Sequence, residues 1–278
     1  VGQGPGEYSQ IYDAVINDQR KLVYMLSPFG SMYTYRLDGS FIDKKILPEK
    51  INFQKIRLTP GGDLLTWSAL NKDDGACVMR LKADSAKLIN EFWSDHFCLN
   101  WACWDVFYSY QGKAYFSPTF YEEVYEITRD SLRVAYRWDM GEQNINIEQY
   151  HFNSGPDTRK EEEERLREYR KTGKIAFNFT KQYQTDKYYY AQLFSMSSYP
   201  QRKLTNLLYR KKDGVVFYFE KTREGIRISP EVVTEDFMLC IVPTEELENY
   251  KSILPEGEYR ALSKRVEDDN PCVVKFYF

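Results

Sequence analysis

One stretch of the chain reads Tyr33-Thr34-Tyr35-Arg36-Leu37-Asp38-Gly39, an alternating strand that runs into an Asp-Gly turn. Similar strands run into Asp84-Ser85 and Asp130-Ser131, so the three aspartates are spaced 46 residues apart. A fourth copy ends at Asp213-Gly214, 83 residues after the third. Repeats of ~40–50 residues that consist of short strands are typical of β-propeller blades. We therefore predict an all-β protein of the β-propeller class.

The number of blades follows from the length of the chain. The last interval between copies exceeds the period by about 37 residues, which indicates an insertion whose helical part is expected at about residues 153–174. The rest of the 278 residues accommodates about five blades, within the range of roughly 4–8 that propellers use. We expect a single β-propeller domain over residues 1–278, with blade-like units at residues 10–48, 51–94, 104–140, 175–222 and 226–278.

The insertion contains a segment with helical end signals. Asp157 or Thr158 can cap its start, acidic residues crowd its first turns, and Gly173 follows a basic last turn. This polarity predicts a helix over residues 158–172. Our preferred interpretation is a solvated helix that rests on one blade, and the alternative is a lid or a protein-docking element.

Composition excludes some functions and leaves others open. Aromatic residues make up 16% of the chain, which favours strands, and we attribute them to packing between blades rather than to a sugar-binding platform. The net charge of −3 comes from mixed, scattered charges, so no basic face for nucleic acid is predicted. No apolar run approaches the length of a membrane span. The five cysteines show neither metal-binding spacing nor a Cys-x-x-Cys pair, and their disulfide state stays open.

Both ends of the chain carry family-like motifs. The N-terminus reads Gly2-Gln3-Gly4-Pro5-Gly6-Glu7-Tyr8, and the last strand is led by Asn270-Pro271. Together with the Asp-Gly turns, these segments resemble a family of six-bladed, NHL-like β-propellers from Gram-negative gut anaerobes. In that family the first motif joins the first blade to the second, so the resemblance implies six blades, of which five are visible in this chain.

The resemblance also has implications for location. Members of the family usually carry lipoprotein-type export signals, which implies a protein of the periplasm or cell envelope that is lipid-anchored in its full-length precursor. No catalytic motif comes with the family signature, so the resemblance assigns no functional residues.

Propeller ligands typically bind at the mouth of the central channel, where the inner strands begin. The densest stretch of suitable residues runs from Asp95 to Asp105 and could form an aromatic-walled polar pocket. The alternative is that its tryptophans pack between blades and its aspartates hold turns. A second histidine lies in residues 150–152, another stretch that is expected to lead into an inner strand. Our candidate ligand-binding residues are His96, Trp101, Trp104, Asp105 and His151.

A metal site at the same mouth is an alternative. Four residues with oxygen ligands lie near the starts of different units, namely Asp13, Asp105, Asn178 and Glu235. Calcium favours 6–8 oxygen ligands, so convergence of these side chains would indicate a calcium-dependent hydrolase or lyase.

The leading hypothesis is a noncatalytic binding or interaction module of the cell envelope that needs no cofactor, because no catalytic constellation is evident in the sequence. Its ligand is expected to be a glycan, a peptide or a protein. Nucleic acid and a transmembrane segment are not expected, and we expect the chain to be a monomer.

Overall fold

The computed structural model describes residues 4, 6–27, 30–47, 54–68, 76–81, 86–92, 105–118, 121–129, 131–144, 164, 171, 174, 179–195, 203–266 and 269–278. Within these residues the chain forms antiparallel sheets in which consecutive strands are hydrogen-bonded neighbours. This meander is the connectivity of a propeller blade. The predicted all-β, β-propeller class is confirmed, with five blades.

Three four-stranded blades come first. Blade one consists of β1 (Asp13–Asn17), β2 (Leu22–Ser27), β3 (Ser31–Arg36) and β4 (Phe41–Ile46). Blade two consists of β5 (Lys55–Leu58), β6 (Leu64–Ser68), β7 (Ala76–Leu81) and β8 (Ala86–Phe92). Blade three consists of β9 (Phe107–Tyr110), β10 (Lys113–Phe116), β11 (Glu123–Ile127) and β12 (Leu132–Arg137), and a 3₁₀ helix, Gly141–Gln143, follows it.

Two more blades follow. Blade four consists of β13 (Phe179–Gln184), β14 (Tyr188–Ser195), β15 (Lys203–Arg210) and β16 (Val215–Phe219). Blade five has three described strands, β17 (Pro230–Val233), β18 (Phe237–Val242) and β19 (Cys272–Tyr277). A 3₁₀ helix, Thr244–Tyr250, and helix α1 (Glu256–Leu262) separate β18 from β19. Neither helix was singled out in the sequence analysis.

The chain divides into two compact units, Val1–Phe179 and Thr180–Phe278. In the first unit, the buried side chains of Leu26, Met32 and Ile56 pack in one cluster. In the second unit, a larger cluster includes Met238 and Val274. Each unit therefore has a core of its own, and a single domain over residues 1–278 stays a prediction.

The sequence repeat corresponds to a structural repeat. Tyr35, Met79 and Tyr125 all lie on the third strand of their blade, just before the Asp-Gly or Asp-Ser phrases. In each of these blades the fourth strand contains one extra residue that interrupts the pairing with the third strand. The extra residues are Ile42, Ile89 and Ala135, which recur 46–47 residues apart. These β-bulges confirm that the three blades are copies of one unit.

The hairpin turns use residues that tolerate left-handed backbone. Gln111 and Gly112 join β9 to β10 with φ of 46° and 71°. Two such residues in succession form the type of turn that matches the twist of antiparallel strands. Gln111–Gly112 is therefore the first turn of blade three.

The N-terminal motif forms a turn that packs on the outer strands of blade one. The Glu7 amide donates to the Gly4 carbonyl at 2.9 Å, and the Glu7 carboxylate accepts from the Gly4 amide at 2.7 Å. The Tyr35 hydroxyl donates to the Gly6 carbonyl at 2.5 Å. Gly6 has a φ of 82°, and a Cβ atom there would lie 2.6 Å from the Phe41 ring. These contacts explain Gly6 of the motif by packing rather than by chemistry.

A buried polar network stabilises the second unit. The Asn206 side chain is fully buried, accepts from the Tyr190 hydroxyl at 2.5 Å and donates to the Ile228 carbonyl at 3.3 Å. The Gln192 amide donates to the same carbonyl at 3.2 Å, and its oxygen accepts from Thr180 at 2.9 Å. The network thus connects three strands of blade four to the segment that leads into blade five.

The insertion helix predicted over residues 158–172 lies outside the described residues except for Glu164 and Lys171. Both of these residues are helical. Whether the helix serves as a docking element stays a prediction.

Candidate functional site

The two ends of each blade differ in their connections. In a four-stranded meander, the chain enters the first strand, turns from the second strand to the third and leaves the fourth strand at one end of the blade. The turns from the first strand to the second and from the third to the fourth lie at the other end. Connections at the first end of a blade, here called the loop end, include residues 93–106 and 138–178 in the first unit, and residues 196–202 and 243–271 in the second. Connections at the other end, here called the turn end, are short, and residues 59–63 are the longest of them. The loop end therefore has far more chain with which to form a binding surface.

Asp13 interacts electrostatically with two other charged residues, Lys55 and Asp105, at the loop end of the first unit. Asp13 is the first residue of β1, Lys55 is the first residue of β5, and Asp105 lies two residues before β9. The Asp13 Oδ2 atom accepts a hydrogen bond from the Ile56 amide at 2.9 Å. Lys55 and Asp105 both act electrostatically on the Asp13 carboxyl. We call Asp13, Lys55 and Asp105 the strand-start cluster.

Backbone hydrogen bonds hold the starts of these strands in place. In each blade of the first unit, the residue before the first strand bonds to the second strand or its immediate extension. The bonds are Tyr12 N to Leu26 O at 2.8 Å, Gln54 N to Trp67 O at 2.8 Å and Ser117 N to Val106 O at 2.9 Å. The charged side chains of the cluster are therefore carried on fixed backbone.

Burial raises the pKa of Asp13, which is half-buried, and the negative charge of Asp105 raises it further. The Lys55 ammonium and the amides of Ile56 and Ala14 act in the opposite direction. A pKa that is shifted by burial and by a charged neighbour is common in functional sites, and structural ion pairs show such shifts as well.

The strand-start cluster offers hydrogen-bond acceptors next to one ammonium group. Asp105 is exposed, and the neighbouring Tyr12 side chain is 38% exposed. The Lys55 ammonium disfavours a divalent cation at this position, because like charges repel. The arrangement therefore suits a ligand with hydroxyl, amide or amine groups better than a metal ion.

Most of the ligand-binding residues predicted from the sequence cannot be placed. His96, Trp101, Trp104 and His151 lie outside the described residues, and so does the metal candidate Asn178. Asp105 is described and belongs to the strand-start cluster together with Asp13, which was predicted as a metal ligand only.

Glu235 has a different position from the one expected. The sequence placed it at the start of the last unit, but β17 begins at Pro230 and Glu235 lies in the turn between β17 and β18. Its carboxylate accepts hydrogen bonds from the amides of Asp186 and Lys187, the latter at 3.0 Å, in the first turn of blade four. Glu235 therefore joins two hairpin turns at the turn end of the second unit.

Lys55 is the residue of the cluster that the sequence did not single out. It is the first residue of the inner strand β5, but a lone lysine gives no chemical signal by itself. Within the described parts of the chain, no three His, Cys, Asp or Glu side chains are grouped as metal ligands would be.

The family model for a domain of unknown function, DUF4934, matches residues 1–277. The chain belongs to the DUF4934 family. The six-bladed, NHL-like grouping inferred from the terminal motifs is finer than this match and stays a prediction. A search of curated proteins found no significant match.

Solved structures show the fold of this DUF4934 protein. A protein of Bacteroides fragilis that is named as a candidate exported protein superposes with a TM-score of 0.67 at 13% identity, over 100% of this chain and 79% of that one. Virginiamycin B lyase from Staphylococcus aureus gives a TM-score of 0.40 at 12% identity, over 81% and 60% of the two chains. BamB from Moraxella catarrhalis gives 0.40 at 11% identity, over 75% and 52%. The first likeness supports the fold, and the other two have no bearing on function.

Among the helices that the structure describes, none has the length and apolar character needed to cross a membrane.

Proposed function

We propose that this DUF4934 protein is a noncatalytic binding module of the cell envelope, and that its ligand contacts the loop end of the first unit. The observation that carries the proposal is the strand-start cluster, in which Asp13 of blade one accepts a hydrogen bond from the Ile56 amide of blade two at 2.9 Å and interacts electrostatically with Lys55 and Asp105 of the next two blades. In the first unit the connections at this end are long, with residues 93–106 and 138–178, whereas the turn end has only short hairpins.

A binding role is favoured over an enzymatic one by how Asp13 is engaged. A general acid or base must reach a proton on the substrate, but the Asp13 Oδ2 atom is held by the Ile56 amide at 2.9 Å. Its carboxyl group thereby connects β1 of blade one to β5 of blade two. The exposed Asp105 can instead accept hydrogen bonds from a ligand, such as glycan hydroxyls or peptide amines.

The alternative function is a calcium-dependent hydrolase or lyase. It is supported by the approach of Asp13 and Asp105, two of the four oxygen ligands that the sequence suggested. The Lys55 ammonium beside them argues against it, because a divalent cation would have to overcome that repulsion.

The location in the cell envelope is also part of the proposal. The N-terminal motif resembles that of a family with lipoprotein-type export signals, and the name of the Bacteroides fragilis neighbour suggests export as well. Fractionation of cells that express the full-length protein tests this, and recovery in the cytoplasmic fraction would contradict it.

The binding function is tested with the purified chain on a glycan array and on a set of lysine-containing peptides. We expect binding to at least one probe class that weakens roughly tenfold in Asp105→Ala, since a hydrogen bond to a charged group contributes about 1.5–3 kcal/mol. The matched control is Asp18→Ala, which removes an exposed aspartate in the turn at the opposite end of β1.

The same proteins are assayed with general hydrolase and lyase substrates. Turnover that disappears in Asp105→Ala would favour the enzyme and overturn the noncatalytic function. Equal loss of binding in both variants would show that the ligand does not contact the loop end.

A further inference from the structure

Strand β16 exposes an unusual amount of apolar surface. It reads Val215-Val216-Phe217-Tyr218-Phe219, and its first four side chains are 38%, 53%, 40% and 57% exposed. Because successive side chains in a strand point to opposite faces, this strand is exposed on both faces. Strand β16 is also the last in the strand order of blade four, so no described strand pairs with its outer edge.

The other outer strands of four-stranded blades are protected against edge pairing. The sequences of β4, β8 and β12 all contain charged residues, such as Lys44, Lys87 and Arg133. Each of these strands also contains a β-bulge. Charged side chains and bulges are among the devices with which natural sheets prevent their edges from pairing with other chains.

Strand β16 has neither device. It contains no charged residue, and its pairing with β15 runs from Val215 to Phe219 without a register shift. A flat, apolar, unprotected edge is suited to adding another strand.

A cleft follows this edge. It has a volume of about 540 Å³ and is lined by Val216, Phe217, Tyr218 and Phe219, and by Lys221, Thr222, Arg223 and Ile228. The lining includes four consecutive residues of β16, which alternate between the two faces of the strand. The charged residues of the lining are both basic, so an extended apolar segment with an acidic neighbour would fit it.

The chain itself contains such a segment. Strand β16 is apolar over five residues and is preceded by the turn residue Asp213, whose side chain is 37% exposed. In an antiparallel pair of two β16 strands centred on Phe217, residue 216 lies opposite residue 218 and residue 213 lies opposite residue 221. Asp213 pairs with Arg210 of its own chain at 2.9 Å, and in the dimer it would also face Lys221 of the other copy, so each apolar strand would be flanked by an additional ion pair.

We propose that β16 is the dimerisation edge of this protein, and that it pairs in antiparallel fashion with β16 of a second copy around a two-fold axis at Phe217. The two four-stranded blades would form one continuous eight-stranded sheet. This isologous contact uses the same surface of both copies, which is the commonest arrangement of dimers. It replaces the expectation of a monomer.

The proposal is tested by sedimentation of the purified chain over a range of micromolar concentrations. The wild-type protein is expected to sediment as a dimer, with twice the monomer mass of 33.0 kDa. Val216→Lys places a charge in the pairing edge and is expected to raise the dimer dissociation constant roughly tenfold or more. The matched control is Val134→Lys on the outer strand β12, where the valine is 44% exposed next to a bulge, and this variant should remain dimeric.

A charge exchange tests the register. Lys221→Asp is expected to raise the dissociation constant by about two- to fivefold, as for exposed ion pairs, and the additional change Asp213→Lys should restore it. Thermal unfolding of every variant verifies that it is folded. A second test of the axis is Phe217→Cys, which should form a cross-linked dimer under oxidising conditions more readily than the wild type does.

Three outcomes would overturn the proposal. They are a wild-type chain that is monomeric at all concentrations, a dimer that Val216→Lys does not weaken, and a dimer that Val134→Lys weakens equally. A monomer that instead binds an extended acidic, apolar peptide at β16 would show that the edge serves a different partner.

Discussion

Gly6 occupies a position where two separate constraints favour glycine. Its φ of 82° is left-handed, and a Cβ atom would lie 2.6 Å from the Phe41 ring. Gly39 has a similar φ of 86° but nothing within 4 Å of the corresponding position. The two glycines therefore separate the cost of backbone strain from the cost of a steric clash.

We predict that Gly6→Ala destabilises the protein by about 3 kcal/mol and Gly39→Ala by about 1 kcal/mol, because only the first adds a clash to the strain. Urea denaturation of both variants measures the difference. Equal losses would mean that the N-terminal turn does not pack against Phe41 as described.

Asp13 and Asp38 are predicted to affect stability in opposite directions as the pH changes. Burial raises the pKa of Asp13, so its contribution to stability is present below the ordinary value of 3.8 and is lost as the pH rises through the folded-state pKa. Hydrogen bonds from Ser40 lower the pKa of Asp38, so its contribution is present above 3.8 and is lost as the pH falls.

The measurement compares melting temperatures of the wild type, Asp13→Asn and Asp38→Asn between pH 3.5 and 7. Relative to the wild type, Asp13→Asn should become more favourable as the pH rises, and Asp38→Asn should become less favourable. A trend of the same sign in both variants would contradict these pKa shifts.

At the scale of elements, we predict that substitutions in the buried polar network of blade four lower the stability of the protein more than the small number of hydrogen bonds suggests. Asn206→Leu removes the acceptor of the Tyr190 hydroxyl and one donor to the Ile228 carbonyl, in a fully buried place. Unsatisfied buried groups carry their full desolvation cost, so we expect a loss of about 2–4 kcal/mol.

Tyr190→Phe is the control for this prediction. It removes one hydroxyl and leaves the remaining hydrogen bonds in place, so we expect a loss of about 1 kcal/mol in the same denaturation experiment. A larger loss in Tyr190→Phe than in Asn206→Leu would show that Asn206 does not organise the network.

The outer strands show how elements of one repeat diverge. Strands β4, β8 and β12 carry a bulge at matching positions, whereas β16 pairs with β15 without one. A bulge increases twist and disrupts the ladder, which turns an edge away from other chains. The difference between these strands is the structural basis of the dimerisation proposal.

At the scale of the whole molecule, calcium distinguishes the two functions considered. A ligand that binds only the folded state raises the melting temperature by mass action. Because Lys55 lies beside Asp13, we predict that millimolar calcium leaves the melting temperature of the wild type unchanged relative to EDTA. A rise that Asp13→Asn and Asp105→Ala both abolish would support the calcium-dependent enzyme.

Much of the fold was predictable, and the reason lies in the period of strands and turns. Tyr35, Met79 and Tyr125 were expected at equivalent places and lie on third strands, since a strand and its Asp-Gly turn are set by local preferences. Helix α1 was missed because it is a short element of seven residues, Glu256–Leu262, with little apolar periodicity.

The candidate site was predictable only in part. Asp13 and Asp105 were recognised because both precede or begin an inner strand, and inner strands of successive blades begin near one another. Glu235 was misplaced because the sequence does not show where β17 begins, and a shift of a few residues moves a side chain to the opposite end of its blade.

Local sequence alone determined the repeat, the short turns and the all-β class, because these depend on side-chain alternation and on residues that accept turn geometry. Tertiary structure alone decided that Lys55 lies beside Asp13, that Glu235 binds a neighbouring hairpin and that β16 is left unprotected. The first two contacts join residues from different blades, and the third feature depends on whether another strand pairs with β16. The spacing of residues along the chain encodes neither the contacts between blades nor the pairing of an edge strand.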